Sequence, residues 1–224
     1  MMLSIDVVIP VRTDSEHARV ITQTSINSLF ASKPPQVEFN IVVCEQIKEA
    51  PLYDHVKTTL YYDFPFNFNK VLNHGAQSCM NKYIMFANND LLYTWNFIIP
   101  LYVAAQGGYK SLSPTDPCKD KPVNEQYIEG YGIGKELKGW CIFCDRDMYE
   151  SLGGFDERVT FWYSDDLYAE QLKKAGIIHA RVTNSFVIHF ESSTINKHSR
   201  VVKKEYMQNQ KDIFERLKRE YYGK

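Results

Sequence analysis

Tyr83-Ile84-Met85-Phe86-Ala87-Asn88-Asn89-Asp90 decides how this chain is read, because an apolar run stops abruptly in two amides and a carboxylate. A strand covered on both faces shows such an unbroken run, and in open α/β sheets ligands gather at the carboxyl ends of the strands. The stretch therefore predicts a central strand whose end is chemical, with Asp90 as its first functional carboxylate. The competing reading is a turn in which Asn and Asp bond their own backbone.

Working outward, residues 5–11 (Ile-Asp-Val-Val-Ile-Pro-Val) form a β-branched run, followed by the polar Arg12-Thr13-Asp14-Ser15 and a helical segment over 18–31. Strand, polar loop and helix in this order open a nucleotide-binding α/β unit. Lys33-Pro34-Pro35 breaks the helix, and a second strand over 39–44 ends at Glu45-Gln46. A helix over 70–80 leads into the strand ending at Asp90, 94–105 reads as helix, and 107–112 as a return to the sheet. Residues 113–138 are rich in Pro, Gly and charge; the alternating Gly130, Gly132 and Gly134 lack the dinucleotide-binding spacing and predict a flexible loop. A strand around Trp140 follows, then one helical turn over 148–152 closed by Gly153-Gly154. The aromatic run 161–163 and the acidic Ser164-Asp165-Asp166 precede a helix with Leu167, Ala169, Leu172 and Ala175 on one face. A last strand over 182–190 carries His189 near its end, and 203–222 is a long terminal helix.

The 224 residues, 44% hydrophobic and 24% charged, suit one large domain with an appendage, divided here into residues 1–195 and a basic helical extension over 196–224. No run approaches the roughly 18 apolar residues needed to span a bilayer, and the first residues lack a secretion-signal pattern, so a soluble cytoplasmic protein is expected. The five scattered cysteines argue against a disulfide framework. Cys141 and Cys144 form a CxxC, but positions three apart on a strand face opposite sides, which predicts buried thiols rather than a zinc or redox pair.

Net charge is −1, unevenly spread: from Lys197 onward nine basic residues stand against four acidic ones. Such a tail either meets an anionic partner, DNA among the candidates, or is a solvated helix face.

The order of these parts resembles the GT-A fold glycosyltransferases of the family 2 type. The strand from Gly139, Gly-Gly-Phe-Asp-Glu-Arg, the aromatic run, the acidic pair, a helix ending in Lys-Ala-Gly and a strand ending in His189 follow the family's order, and Asn73-His74-Gly75-Ala76 resembles its Asn-x-Gly segment. The resemblance implies an α/β, Rossmann-like fold with a mixed central sheet flanked by helices. It also implies transfer of a sugar from a nucleoside-diphosphate donor, a UDP-sugar foremost, to an acceptor hydroxyl; the basic terminal helix would suit a modified base of DNA as acceptor, and a glycan, lipid or protein stands equally open. Asp90 and His189 would hold Mn²⁺ or Mg²⁺, and oxygen and imidazole donors suit such a cation. Pro10, Val11, Arg12, Asp14, Glu45, Asn69, Lys70, Asn73, Asn88 and Asn89 would line the donor site. Asp165, with Asp166 beside it, would be the base that deprotonates the acceptor.

The sequence departs from the family pattern at Asn88, where the metal motif has lost its first Asp, and at Ser164 and Leu167, which stand where acids flank the base. The last two keep a second possibility open: a catalytically silent module that uses the cleft to recognise a glycan or nucleic acid. A nucleotidyltransferase is disfavoured, since no Gly-rich triphosphate loop with a following Lys occurs near residues 10–20.

Overall fold

The structure is a computed structural model describing residues 2–50, 52–191 and 200–223, with side chains of the last helix from Tyr206 onward. The boundary expected between 195 and 196 lies outside the described residues. Strand β1 (Leu3–Val11) pairs in parallel with β2 (Val37–Glu45) on one side and with β4 (Tyr83–Ala87) on the other, and β3 (Thr58–Tyr61) extends the sheet beyond β2. Past β4 the direction reverses. There β8 (Cys141–Asp145) runs antiparallel to both β4 and β6 (Ser111–Thr115), and β9 (His179–His189) lies parallel to β6. The short β5 (Leu91–Tyr93) and β7 (Tyr127–Glu129) both lie antiparallel on β9, completing a mixed nine-stranded sheet.

Among the described residues six helices cover this sheet: α1 (Glu16–Ser32), α2 (Phe68–Ala76), α3 (Ile98–Gln106), α4 (Arg146–Ser151), α5 (Ser164–Lys174) and α6 (Arg200–Tyr221). The alternation of side chains along a strand divides the interior into two layers. Val7, Ile9, Met85 and Phe143 face Ile26, Leu29, Ile98 and Leu101 of α1 and α3. Val8, Ile84, Phe86 and Ile142 face Leu72, Met148, Tyr168 and Leu172 of α2, α4 and α5. Every residue of β4 is buried, as the opening stretch predicted, so truncating Ile84 or Phe86 to Ala would cost about 2–5 kcal/mol. Cys141 falls in the first layer and Cys144 in the second, which rules out a shared metal, and burial pushes both thiols up. Gly75 is required where α2 meets the sheet: a Cβ there would lie 2.4 Å from Val8 Cγ1 and 2.7 Å from Cys44 Sγ.

The segment 113–138 is not the flexible loop its composition predicted. It contributes β7, and an ion cluster fixes it: the Lys138 ammonium lies 2.6 Å from Asp120 Oδ1 and 2.7 Å from the Gly134 carbonyl, and Arg181 reaches Asp120 Oδ2 at 3.2 Å. The Lys138 and Arg181 side chains are only 4% and 9% exposed, and removing one partner of so buried a group costs about 3–5 kcal/mol. The cluster anchors the chain immediately before Gly139 and Trp140.

Candidate active site

Three parallel strands, β1, β2 and β4, end on the same edge of the sheet, with Val11 in register with Glu45. Just past the end of β4, the Asn88 N–H donates to the Trp140 carbonyl at 2.9 Å, tying the strand's exit to the residue that enters β8. The Asn89 amide donates to Thr22 Oγ1 of α1 at 2.7 Å. Asp90 follows, 6% exposed, and the pairing of Leu91 with His189 brings strand β9 alongside it. His189 Nε2 then stands 3.3 Å from Asp90 Oδ1. The Trp140 ring stacks on the imidazole with centroids 5.3 Å apart, fixing the plane of the ring.

Asp116, buried just after β6, was missed by the sequence reading although it shares the signal that picked out Asp90, an acid at a strand's carboxyl end. It accepts the His189 backbone N–H at 3.4 Å and lies 3.6 Å from Lys119, whose ammonium also donates to the His189 carbonyl at 3.1 Å.

Asp165 joins this group from the other side. Its helix, α5, begins after Tyr163, which adopts the left-handed conformation (φ 67°) and offers no side-chain cap. The Asp165 carboxyl lies against Gly139. A Cβ at Gly139 would sit 2.0 Å from Asp165 Cγ and 2.1 Å from each of its oxygens, so any side chain there would displace the carboxyl. Packing against that backbone desolvates the carboxyl, and with the adjacent Asp166 charge it raises the pKa to about 6. Asp166 is raised as well, chiefly by burial, and it faces Glu170, Lys173 and Lys218. Asp165, Gly139, Trp140, His189 and Asp90 thus form one continuous set drawn from distant parts of the sequence.

Other expected donor residues make hydrogen bonds within the fold. The Glu45 carboxylate, 1% exposed, accepts from the Thr13 N–H (3.0 Å), the Thr13 hydroxyl and the Ile47 N–H (2.8 Å), so it braces the loop after β1. Asn69 donates to the Asp156 carbonyl at 2.6 Å. The Asn73 amide donates to the Phe155 carbonyl (2.8 Å) and its oxygen accepts from the Tyr149 hydroxyl (2.6 Å) and the Phe155 N–H (2.9 Å). Both asparagines lock α2 to the Gly-Gly-Phe-Asp-Glu-Arg loop. Lys70 is exposed, with its ammonium 4.6 Å from the Phe64 ring centroid.

Arg12, 3.7 Å from Asp14, stands at the lip of the parallel strands after the part-buried Pro10 and the buried Val11. There an open cavity of about 290 Å³ is lined by Asp14, Ser15, Arg19, Ile47 and Glu49. A larger hollow, about 650 Å³, lies between the 151–158 loop, α5 and Tyr221; Asn73 is the one expected site residue on its wall.

A metal fits the residues at Asp90 in part. Two ligands about 2.1 Å from one ion at right angles stand roughly 3.0 Å apart, close to the Asp90–His189 separation. Among the described residues no group of three His, Cys, Asp or Glu side chains could hold an ion, so any cation here would draw further oxygens from the donor diphosphate and water.

This architecture is the GT-A fold of nucleotide-sugar glycosyltransferases. The chain superposes on the crystal structure of GalNAc-T7 with UDP, GalNAc and Mn²⁺ with a TM-score of 0.68, at 12% identity, over 84% of this chain and 44% of that one. It superposes on Staphylococcus aureus TarS residues 1–349 with a TM-score of 0.61, at 10% identity, over 83% and 59%. In sequence, 164 residues are 26% identical to the O-antigen biosynthesis protein RfbC of Myxococcus xanthus; the match covers 60% of this chain and 13% of that protein's length. No protein-family model matches the chain. Among the described residues no helix is long and apolar enough to cross a membrane.

Proposed function

We propose that the chain is a glycosyltransferase that uses a nucleoside-diphosphate sugar, a UDP-sugar first among candidates, and inverts the anomeric centre in a single displacement. The observation that carries this reading is the seating of Asp165 on Gly139, one residue from the Trp140 that stacks on His189 beside Asp90. One carboxylate thereby faces the acceptor side while a carboxylate and an imidazole face the diphosphate side. The Mn²⁺ of the GalNAc-T7 structure supports a divalent-cation site here. Such a cation, held by Asp90 and His189, would neutralise the charge that develops on the leaving diphosphate.

The chain's own residues account for the rest. The Pro10–Asp14 loop and the cavity beside it receive the nucleotide, with Asn88 as a neutral hydrogen-bonding group near the ribose or phosphate. Asp165 takes the acceptor proton, and a pKa raised to about 6 makes it a better base than an ordinary carboxylate while leaving it ionised at neutral pH. Asp166 contributes by holding that pKa up. The name of the RfbC relative, O-antigen biosynthesis, supports a glycan acceptor.

The losses at Ser164 and Leu167 favour the alternative of a silent recognition module, and one assay separates the two. Diphosphate release from a panel of UDP-, GDP- and CDP-sugars with Mn²⁺ is expected for the wild type and is abolished in Asp90→Ala and Asp165→Asn. Nucleotide binding with no release from any donor supports the module instead.

A further inference from the structure

Four aromatic rings form a continuous chain beside Asp165. Phe66 meets Phe161 at 6.1 Å between centroids, Phe161 meets Trp162 at 5.4 Å, and Trp162 meets Tyr206 at 5.3 Å. Three elements build it. Phe66 lies just before α2, Phe161 and Trp162 lie in the turn that leads into α5, and Tyr206 comes from α6. The backbone lashes these elements together: the Phe68 N–H donates to the Thr160 carbonyl at 2.7 Å, Gln210 of α6 accepts the Thr160 N–H at 2.6 Å, and the Thr160 and Tyr206 hydroxyls are bonded. Behind the rings Phe214 stacks on Tyr163, and Val159, Leu167 and Leu217 close the packing.

This ridge is not core. Phe66 is 41% and Tyr206 40% exposed, and Phe161 and Trp162 are only part-buried. The position is informative. Trp162 lies three positions before Asp165, at most about 11 Å of chain, and the left-handed Tyr163 folds that distance shorter.

We propose that this ridge is the acceptor platform, and that it takes a neutral sugar ring. The inference rests on the glycosyltransferase reading and supplies its acceptor class. Aromatic faces bind the C–H faces of a pyranose by burying apolar surface, while hydroxyl and amide groups at the rim satisfy its oxygens. The part-buried Thr160 lies at this rim, and the buried Gln210 holds it there from behind. A nucleic acid would need cations beside the rings, since phosphate contacts supply most of its affinity. Among the described side chains, Arg158, three residues before Phe161, is engaged at 2.6 Å by Asp156 and at 2.9 Å by Glu220. On this account α6 belongs to the active site: it contributes Tyr206 and holds the turn that positions Asp165.

The test uses the full-length protein and saturation-transfer NMR with methyl glycosides of glucose, galactose, N-acetylglucosamine and rhamnose at millimolar concentration. At least one glycoside is expected to receive saturation from the wild type, and binding should fall about tenfold in Trp162→Ala and in Tyr206→Ala while Trp162→Phe retains most of it. UDP binding with Mn²⁺, followed by thermal shift, should stay unchanged in all three variants, which also shows that they are folded. No transfer to any of the four glycosides, or equal transfer in Trp162→Ala, overturns the proposal. So does a duplex oligonucleotide that binds the wild type and loses affinity in Trp162→Ala. Failure of the donor reading looks different: glycosides bind and respond to Trp162→Ala, yet no nucleoside diphosphate shifts the melting temperature.

Discussion

Replacing Gly139 with Ala adds one methyl group at the point where the proposed base is held. That carbon would lie 2.0 Å from Asp165 Cγ, against an ordinary carbon–carbon contact of about 3.5–4.0 Å, so one of the two must move by roughly 1.5 Å. Lys138 and its buried ion partners fix the Gly139 backbone, and the Asp165 side chain has rotatable bonds, so the carboxyl is what moves. A displacement of about 1 Å at a reacting group costs on the order of a hundredfold in rate, and general-base catalysis as a whole contributes about 10²–10⁴. Turnover in Gly139→Ala should therefore fall at least ~100-fold, read as diphosphate release with Mn²⁺. Overpacking of this size costs about 1–3 kcal/mol of stability, which for a chain of this length lowers Tm by roughly 2–4 °C per kcal/mol. Nucleotide affinity should hold, because the Asp165 carboxyl moves while the backbone that carries Trp140 stays fixed by the Lys138 cluster. The decisive comparison is the double variant. If Gly139 acts through Asp165, Gly139→Ala should add nothing to the loss in Asp165→Ala. Multiplicative losses, or a Gly139→Ala enzyme with wild-type turnover, would refute the reasoning.

Three other outcomes follow from the same geometry. The activity of the wild type should rise with pH through about 6 and level off above it, because Asp165 accepts a proton only when ionised; a profile flat from pH 5 to 8 would exclude it as the base. A carboxylate whose folded pKa is raised favours the native state below its unfolded pKa, and that contribution disappears as pH climbs from about 4 through 6. Asp165→Asn should accordingly be more stable than wild type above pH 6, by roughly 2–3 kcal/mol, in chemical denaturation, with little difference below pH 4. Among the cysteines only Cys118 is exposed, and burial raises Cys44 and Cys79 to about 12, so a thiol reagent should label one site quickly in the native protein and five after unfolding; two or more fast thiols would contradict the burial of Cys141 and Cys144.

The parts of this fold that announce themselves locally were legible in the sequence. A strand buried on both faces has a composition of its own, so β1, β2, β4 and the end at Asp90 could be found from residues alone, as could the opposed faces of Cys141 and Cys144. The three-residue strands β5 and β7 have no local signature, being strands only through their pairing with β9. The segment 113–138 has a loop's composition, and only tertiary contact shows that Lys138, Asp120 and Arg181 fix it. Amides at Asn69 and Asn73 have the chemistry of ligand groups, and only the structure shows that they also bond a neighbouring loop. Gly139 was read merely as the start of a strand, since its need for a missing Cβ arises from Asp165, distant in sequence. The basic surplus of the tail was visible too. That α6 packs through Phe214 and Leu217, pairing Lys218 with Glu170 at 3.7 Å, required the structure.

Calorimetry of UDP binding with and without Mn²⁺, on the wild type and Asp90→Ala, reaches the central claim most directly. The account predicts binding that requires the cation in the wild type and is lost in Asp90→Ala, with the variant's thermal stability retained. Binding that ignores both the cation and the substitution would contradict it, as would no binding of UDP, GDP or CDP under any of these conditions.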